Sequence, residues 1–159
     1  MMLLNRPDMK GLAANIFLPV LATLIVNAII FTQGWDQRPK PLLDSLWFAP
    51  PGWAIGIIWI FLYGLYGLSR WTAATATEDA NKRAWAIVAL MLWGLSYPWL
   101  SQKFDLTWGA YMNVASLLLT LMVAAFIWPV SKKAVYWLLP SMLWESFAVF
   151  LGFAALSVA

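Results

Sequence analysis

Five runs of apolar residues, separated by short polar or proline-bearing breaks, set the pattern of this chain. They lie at about 12–31, 52–71, 84–100, 106–128 and 134–158. Each is close to the roughly twenty residues a helix needs to cross a bilayer, although the third is short. The spacing of small and polar positions inside each run is helical. On the second, Gly52, Gly56, Trp59, Tyr63, Tyr66 and Gly67 fall within an arc of roughly 100° at 3.6 residues per turn. Ile57, Ile58, Phe61, Leu65 and Leu68 fall on the other side. Between membrane helices, small residues mark close approach and plain aliphatics mark the lipid face.

The other runs repeat this division. Asn15, Pro19, Thr23 and Asn27 form a drifting stripe on the first, expected to face the bundle because polar groups in lipid need protein partners. Pro19 is expected to kink that helix. Ala86, Ala89, Trp93 and Tyr97 share a face of the third, and Pro98 is expected to disturb its last turn. Gly109, Asn113, Ser116, Thr120 and Ala124 lie within about 80° on the fourth. Ser141, Trp144, Glu145, Ala148, Gly152 and Ala155 lie within about 100° on the fifth. The predicted fold is therefore all-α, a five-transmembrane-helix bundle forming one domain over residues 1–159. Residues 72–83 and 32–51 are read as connections. The second of these holds Gly34 and four prolines, and loops of that length are often functional.

Composition adds exclusions. The chain is 63% hydrophobic and 11% charged, with a mean hydropathy of +0.74, which a soluble domain of 159 residues could not bury. It has no Cys and no His, which removes disulfides, thiol nucleophiles, Cys or His metal sites and imidazole acid–base chemistry. The net charge of +3 is modest and sits in loops. It reads as membrane topology, and no nucleic-acid partner is expected. Seven of the ten Lys and Arg residues (Arg6, Lys10, Arg70, Lys82, Arg83, Lys132 and Lys133) lie on the side of the N-terminal tail. The positive-inside rule then places the N-terminus in the cytoplasm, or its equivalent, and the C-terminus opposite.

Twelve tryptophans exceed ordinary usage. Trp35, Trp47, Trp71, Trp85, Trp108, Trp128 and Trp137 lie near predicted helix ends and suit an aromatic belt at the membrane interfaces. Trp59, Trp93 and Trp144 lie deeper. They either fill space between helices or wall a pocket for a flat conjugated ligand. Glu145 is the one acid inside a span. It is expected to be protonated, paired or facing water, with Asn113, Ser116 or Asn27 as candidate partners.

Around the second run, Pro50, Pro51, Trp53, Gly56, Trp59, Leu62, Tyr63 and Gly67 match the pattern W-x-P-P-x-W-x-x-G-P-x-W-x-x-L-Y-x-x-M-G. Phe48 stands for the first Trp, Ile58 for the third Pro and Tyr66 for the Met. On the fifth run, Leu138, Pro140, Trp144, Phe147, Ala148 and Leu151 match L-x-P-Y-x-x-W-x-x-F-A-x-x-L-N, with Ser141 for the Tyr and Gly152 for the Asn. In the third, only Pro98 fits. The chain thus resembles the TspO/MBR family of tryptophan-rich sensory proteins and translocator proteins, as a divergent member. That resemblance implies a five-helix bundle, commonly a homodimer, with a hydrophobic pocket under the loop joining the first two helices. It implies a binding or sensing role for a flat apolar ligand, a tetrapyrrole such as protoporphyrin IX or haem, or a sterol-like molecule, with no cofactor required. Light-driven porphyrin oxidation through Trp144, or transport of lipid-like molecules, are the alternatives. The candidate ligand residues are Pro50, Trp53, Trp59, Tyr63, Trp93, Asn113, Ser141, Trp144 and Ala148, with Glu145 as the buried acid.

Overall fold

A computed structural model describes residues 3–35, 45–101 and 105–159. Arg38, Lys40 and Lys103, counted above in the charge distribution, and most of the proline-rich connection lie outside the described residues. The chain runs through a short 3-10 turn at Leu3–Asn5 and then α1 (Met9–Thr32), α2 (Gly52–Ala74), α3 (Glu78–Arg83), α4 (Trp85–Ser101), α5 (Leu106–Ile127), α6 (Lys132–Tyr136) and α7 (Leu139–Ser157). Taken with the short helices that lead into them, these make five helical stretches long and apolar enough to cross a membrane, as the hydrophobic pattern predicted.

Helix starts follow local chemistry. Asp8 caps α1 by accepting from Gly11 N at 2.9 Å, and Asp105 caps α5 by accepting from Trp108 N at 2.9 Å. Pro51 leads α2 in extended geometry, which is how the residue before a first helical turn is shaped by proline. The polar stretch 72–83 is not a plain connection. Helix α2 continues to Ala74, and Thr77 then caps α3 by accepting from Ala80 N at 3.1 Å. Acids fill the first turn of α3 and bases its last, the arrangement the helix dipole favours. Pro98 stays inside α4, which runs on to Ser101.

Packing divides the bundle along its length. Helix α1 packs most extensively on α2, and α5 on α7. At the end holding the N-terminus, Tyr63, Ala73, Ala84, Ile87, Ile127, Ala134 and Leu138 form a filled core. Ser69 Oγ donates to Ala134 O at 2.8 Å there and ties α2 to α6. Outward positions such as Ile57, Phe61, Leu118, Met122 and Leu143 are exposed, as a lipid-facing surface must be.

The α1–α2 seam is the tightest. Pro19 has no N–H for the carbonyl of Asn15, and Gly67 of α2 comes against that carbonyl. A Cβ on Gly67 would overlap the Asn15 oxygen and stand 2.7 Å from its carbonyl carbon. Further along, Asn27 Nδ2 donates to Gly56 O at 3.0 Å. Asn15 and Thr23 are buried, so the polar stripe of α1 faces the bundle.

Arg70 is the unforeseen element of this end. Only 2% exposed, it donates through Nη1 to Leu4 O at 2.6 Å and Asn15 Oδ1 at 2.8 Å, and through Nη2 to Asn5 Oδ1 at 2.8 Å. Its guanidinium lies 5.0 Å from the Trp85 ring centroid, within cation–π range. Trp71 Nε1 adds a bond to Arg6 O at 3.0 Å. The N-terminal tail is thereby fastened to α2.

Candidate ligand-binding site

The other half of the bundle is hollow. A cavity of about 560 Å³ lies among α2, α4, α5 and α7, reaching from Trp35, Ser101 and Asp105 at the helix ends down to Tyr66 and Glu145. Its walls follow from helical spacing. Ile55 and Trp59 come from one face of α2; Leu90, Trp93, Gly94 and Tyr97 from α4; Gly109, Asn113 and Ser116 from α5; Trp144, Ala148, Leu151, Gly152 and Ala155 from α7. Small residues on α5 and α7 leave the volume, and rings on α2, α4 and α7 border it. Gly152 lies against α5, where an added Cβ would meet Ala110 at 3.2 Å.

Polar side chains hold the wall in place through one another. Trp93 Nε1 donates to Ser116 Oγ at 2.8 Å, which in turn donates to Met112 O at 2.9 Å. Tyr97 Oη donates to Asn113 Oδ1 at 2.7 Å, and Asn113 Nδ2 donates to Ala148 O at 3.0 Å. One chain of bonds thus links α4, α5 and α7. At the floor, Glu145 Oε1 accepts from Thr120 Oγ1 at 2.9 Å and from Tyr66 Oη at 3.3 Å. Asn113, Ser116 and Asn27, the partners expected for this acid, are engaged elsewhere. Thr120 displaces Ser116 because it stands one turn further from the cavity mouth, level with Glu145.

Of the nine ligand residues named from the sequence, Trp59, Trp93, Asn113, Trp144 and Ala148 border the cavity, as does Glu145. The other four do not. Trp53 precedes Ile55 by two residues, so it points about 200° away, and it is 63% exposed. Pro50 is only partly buried, before α2 begins, and is not in the wall. Tyr63 is sealed behind the wall, donating to Met91 O at 2.7 Å and packing edge-on to Tyr66 at 5.5 Å. Ser141 is fully buried one turn below Glu145, in the filled half. On α4 the expected face is inward at Trp93 and Tyr97, which border the cavity, but not at Ala89. Ala89 is exposed, whereas Ile87, Leu90 and Met91 are buried.

The structure brings in residues outside the named set. Tyr66 and Tyr97 both lay on predicted inward faces, so their helical register was available. Trp35 was assigned to the interfacial belt. It instead borders the cavity and packs edge-on against Trp99 at 5.8 Å. Nothing in local spacing marks it, because it lies just past the end of α1.

These features define a class: a multi-pass helical membrane protein with an aromatic cavity inside the bundle. The chain belongs to the TspO/MBR family, whose model matches residues 15–157. It is 27% identical over 153 residues to the Tryptophan-rich protein TspO of Bacillus cereus, covering 94% of this chain and 98% of that one. It is 30% identical over 146 residues to the Uncharacterized membrane protein YtaB of Bacillus subtilis, covering 84% and 91% respectively.

Proposed function

We propose that this protein binds and senses a flat hydrophobic ligand of tetrapyrrole or sterol-like size within the bundle. The single observation that carries the reading is the cavity of about 560 Å³ bordered by Trp35, Trp59, Trp93 and Trp144. That volume lies within the range of small-molecule sites, roughly 300–1,000 Å³. Indole faces stack on extended conjugated rings. The hydrogen-bonded wall supports the reading further, since a site fixed before binding loses less entropy when filled. Protoporphyrin IX and haem are the tetrapyrroles that family membership favours, and they enter as ligands rather than as required cofactors.

Quenching of intrinsic tryptophan fluorescence by protoporphyrin IX, in detergent and in lipid nanodiscs, tests the proposal. Saturable quenching is expected in wild type, with weaker binding in Trp93→Phe and Trp144→Phe. Linear, unsaturable quenching in both media would remove the cavity from the account.

A further inference from the structure

Four helices wall the cavity, and three of their four seams are packed. Helix α2 packs on α4, α4 on α5, and α5 on α7. Helices α2 and α7 both border the hollow, yet they do not pack along each other. They are joined at the floor, where Tyr66 Oη donates to Glu145 Oε1 at 3.3 Å, and beyond it, where α6 packs on α2. Helix α1 lies on α2 and α4 without packing on α7, so it leaves the fourth seam uncovered.

The α7 flank of this seam is aromatic. Gly152 lies against α5. At about 100° per residue, Trp144 and Leu151 lie roughly 80–100° around the helix from it, and Phe147 roughly 140°. Trp144 borders the cavity, and its ring packs on Phe147 at 5.6 Å. Phe150, further round, is exposed. Phe48, on the stretch leading into α2, reaches across to it with ring centroids 5.4 Å apart. Neither ring belongs to the filled core. Each helix satisfies its own backbone, so an opening between two of them leaves no polar group bare to lipid.

We propose that the cavity opens sideways into the bilayer between α2 and α7, with the Phe48–Phe150 ring pair as the cover of that slot. The ligand is then a molecule dissolved in the lipid, taken up without passing through water. This inference rests on the binding reading above and specifies the phase from which its ligand comes.

The chain has no cysteine, so one introduced thiol reports access. Ala148→Cys places it in the cavity wall. Leu143→Cys, at an exposed position on α7, is the lipid standard, and Ala159→Cys, past the end of α7, is the water standard. Each full-length variant, in phosphatidylcholine nanodiscs, is labelled with N-(1-pyrenyl)maleimide, which partitions into lipid, and with small, anionic sulfonatoethyl methanethiosulfonate, which does not. Both reagents attack the thiolate, so the ratio of their rates at one thiol largely cancels its acidity. The ratio for Ala148→Cys is expected within about threefold of the lipid standard. Adding Phe150→Ala should raise the pyrenylmaleimide rate at least threefold and leave the sulfonate rate unchanged. A ratio equal to the water standard overturns the inference, because entry then runs through an aqueous mouth. Failure of both reagents to label Ala148→Cys also overturns it. A Phe150→Ala change that alters neither rate, or both equally, overturns the cover. If protoporphyrin IX binds saturably while the ratio matches the water standard, this inference falls and the binding reading stands. If the ratio matches the lipid standard while protoporphyrin IX fails to saturate, the slot stands and the binding reading falls.

Discussion

Replacing Gly67 by Ala tests the α1–α2 seam at its closest point. The added Cβ would overlap the carbonyl oxygen of Asn15 and lie 2.7 Å from its carbon and 3.0 Å from Ile16 Cα. All three atoms are backbone, so no rotamer change relieves the clash. Carbon contacts are comfortable near about 3.5 Å, and α1 must therefore shift by roughly that difference. Overpacking of this kind costs about 1–3 kcal/mol. The shift also pulls Asn15 from Arg70, a bond of 2.8 Å to a charged group worth about 1.5–3 kcal/mol. Helix propensity returns at most about 1 kcal/mol for Gly to Ala. The net expectation is a loss of about 2–4 kcal/mol. Gly64 is the control. It lies one turn away on the same helix, and its Cβ would meet only Val20 Cγ2 at 3.7 Å, an ordinary contact. Gly64→Ala should be neutral or stabilising by up to about 1 kcal/mol. Thermal unfolding of both variants in one detergent gives the comparison. Equal shifts for the two, or a Gly67→Ala protein as stable as wild type, would show that the seam does not depend on this approach.

Four further outcomes are expected. Ala148→Leu should weaken binding of a flat ligand by at least about 1 kcal/mol while the unliganded protein still folds, because the added volume enters the cavity; strong destabilisation without ligand would contradict this. Arg70→Met should release the Leu3–Asn5 turn and speed proteolysis of the tail, since it deletes three hydrogen bonds and leaves Asn15 Oδ1 without that donor; unchanged proteolysis would place the anchor elsewhere. The carboxyl of Asp8 titrates below its ordinary 3.8, first because Gly11 N donates to it and also because Arg6 lies beside it. A group with a lowered folded value adds stability above its unfolded value and loses it as pH falls through the folded one, so Asp8→Ala should match wild type in its acid sensitivity above about pH 4 and differ only below it. The chain has no cysteine, so Ala76→Cys and Ala159→Cys can each be labelled with an impermeant maleimide in intact cells; protection of the first and labelling of the second is expected from the basic bias of the N-terminal side, and the reverse would invert the topology.

Periodicity alone determined the five spans and the inward faces of α2, α5 and α7. In lipid, every helix satisfies its own backbone, so the remaining choice is which side chains avoid the acyl chains. Small and polar residues record that choice directly, as Gly109, Asn113, Ser116 and Thr120 do on α5. The α3 helix was legible too, in Thr77 followed by acids and then bases, although the stretch was read as a connection. The face of α4 was legible only at its aromatic end, where Trp93 and Tyr97 border the cavity as expected. Its alanines suit lipid and interior equally, and contact with α5 and α2 turned Leu90 inward rather than Ala89.

The site divides the same way. Trp59, Trp93, Trp144 and Ala148 could be placed because each shares a helical face with other inward residues. Tyr63 shares such a face as well, yet it stands behind the wall, since its hydroxyl reaches Met91 O on the neighbouring helix. The partners of Glu145 came from two other helices, α2 and α5, and their level along the bundle axis appears nowhere in one helix's spacing. Arg70 is the clearest case. In sequence it is an ordinary base at a helix end, but Asn5, Leu4 and Asn15 converge on it from far along the chain. Helical spacing dictates direction around each axis; only packing sets the heights at which helices meet, and hydrogen-bond partners depend on both.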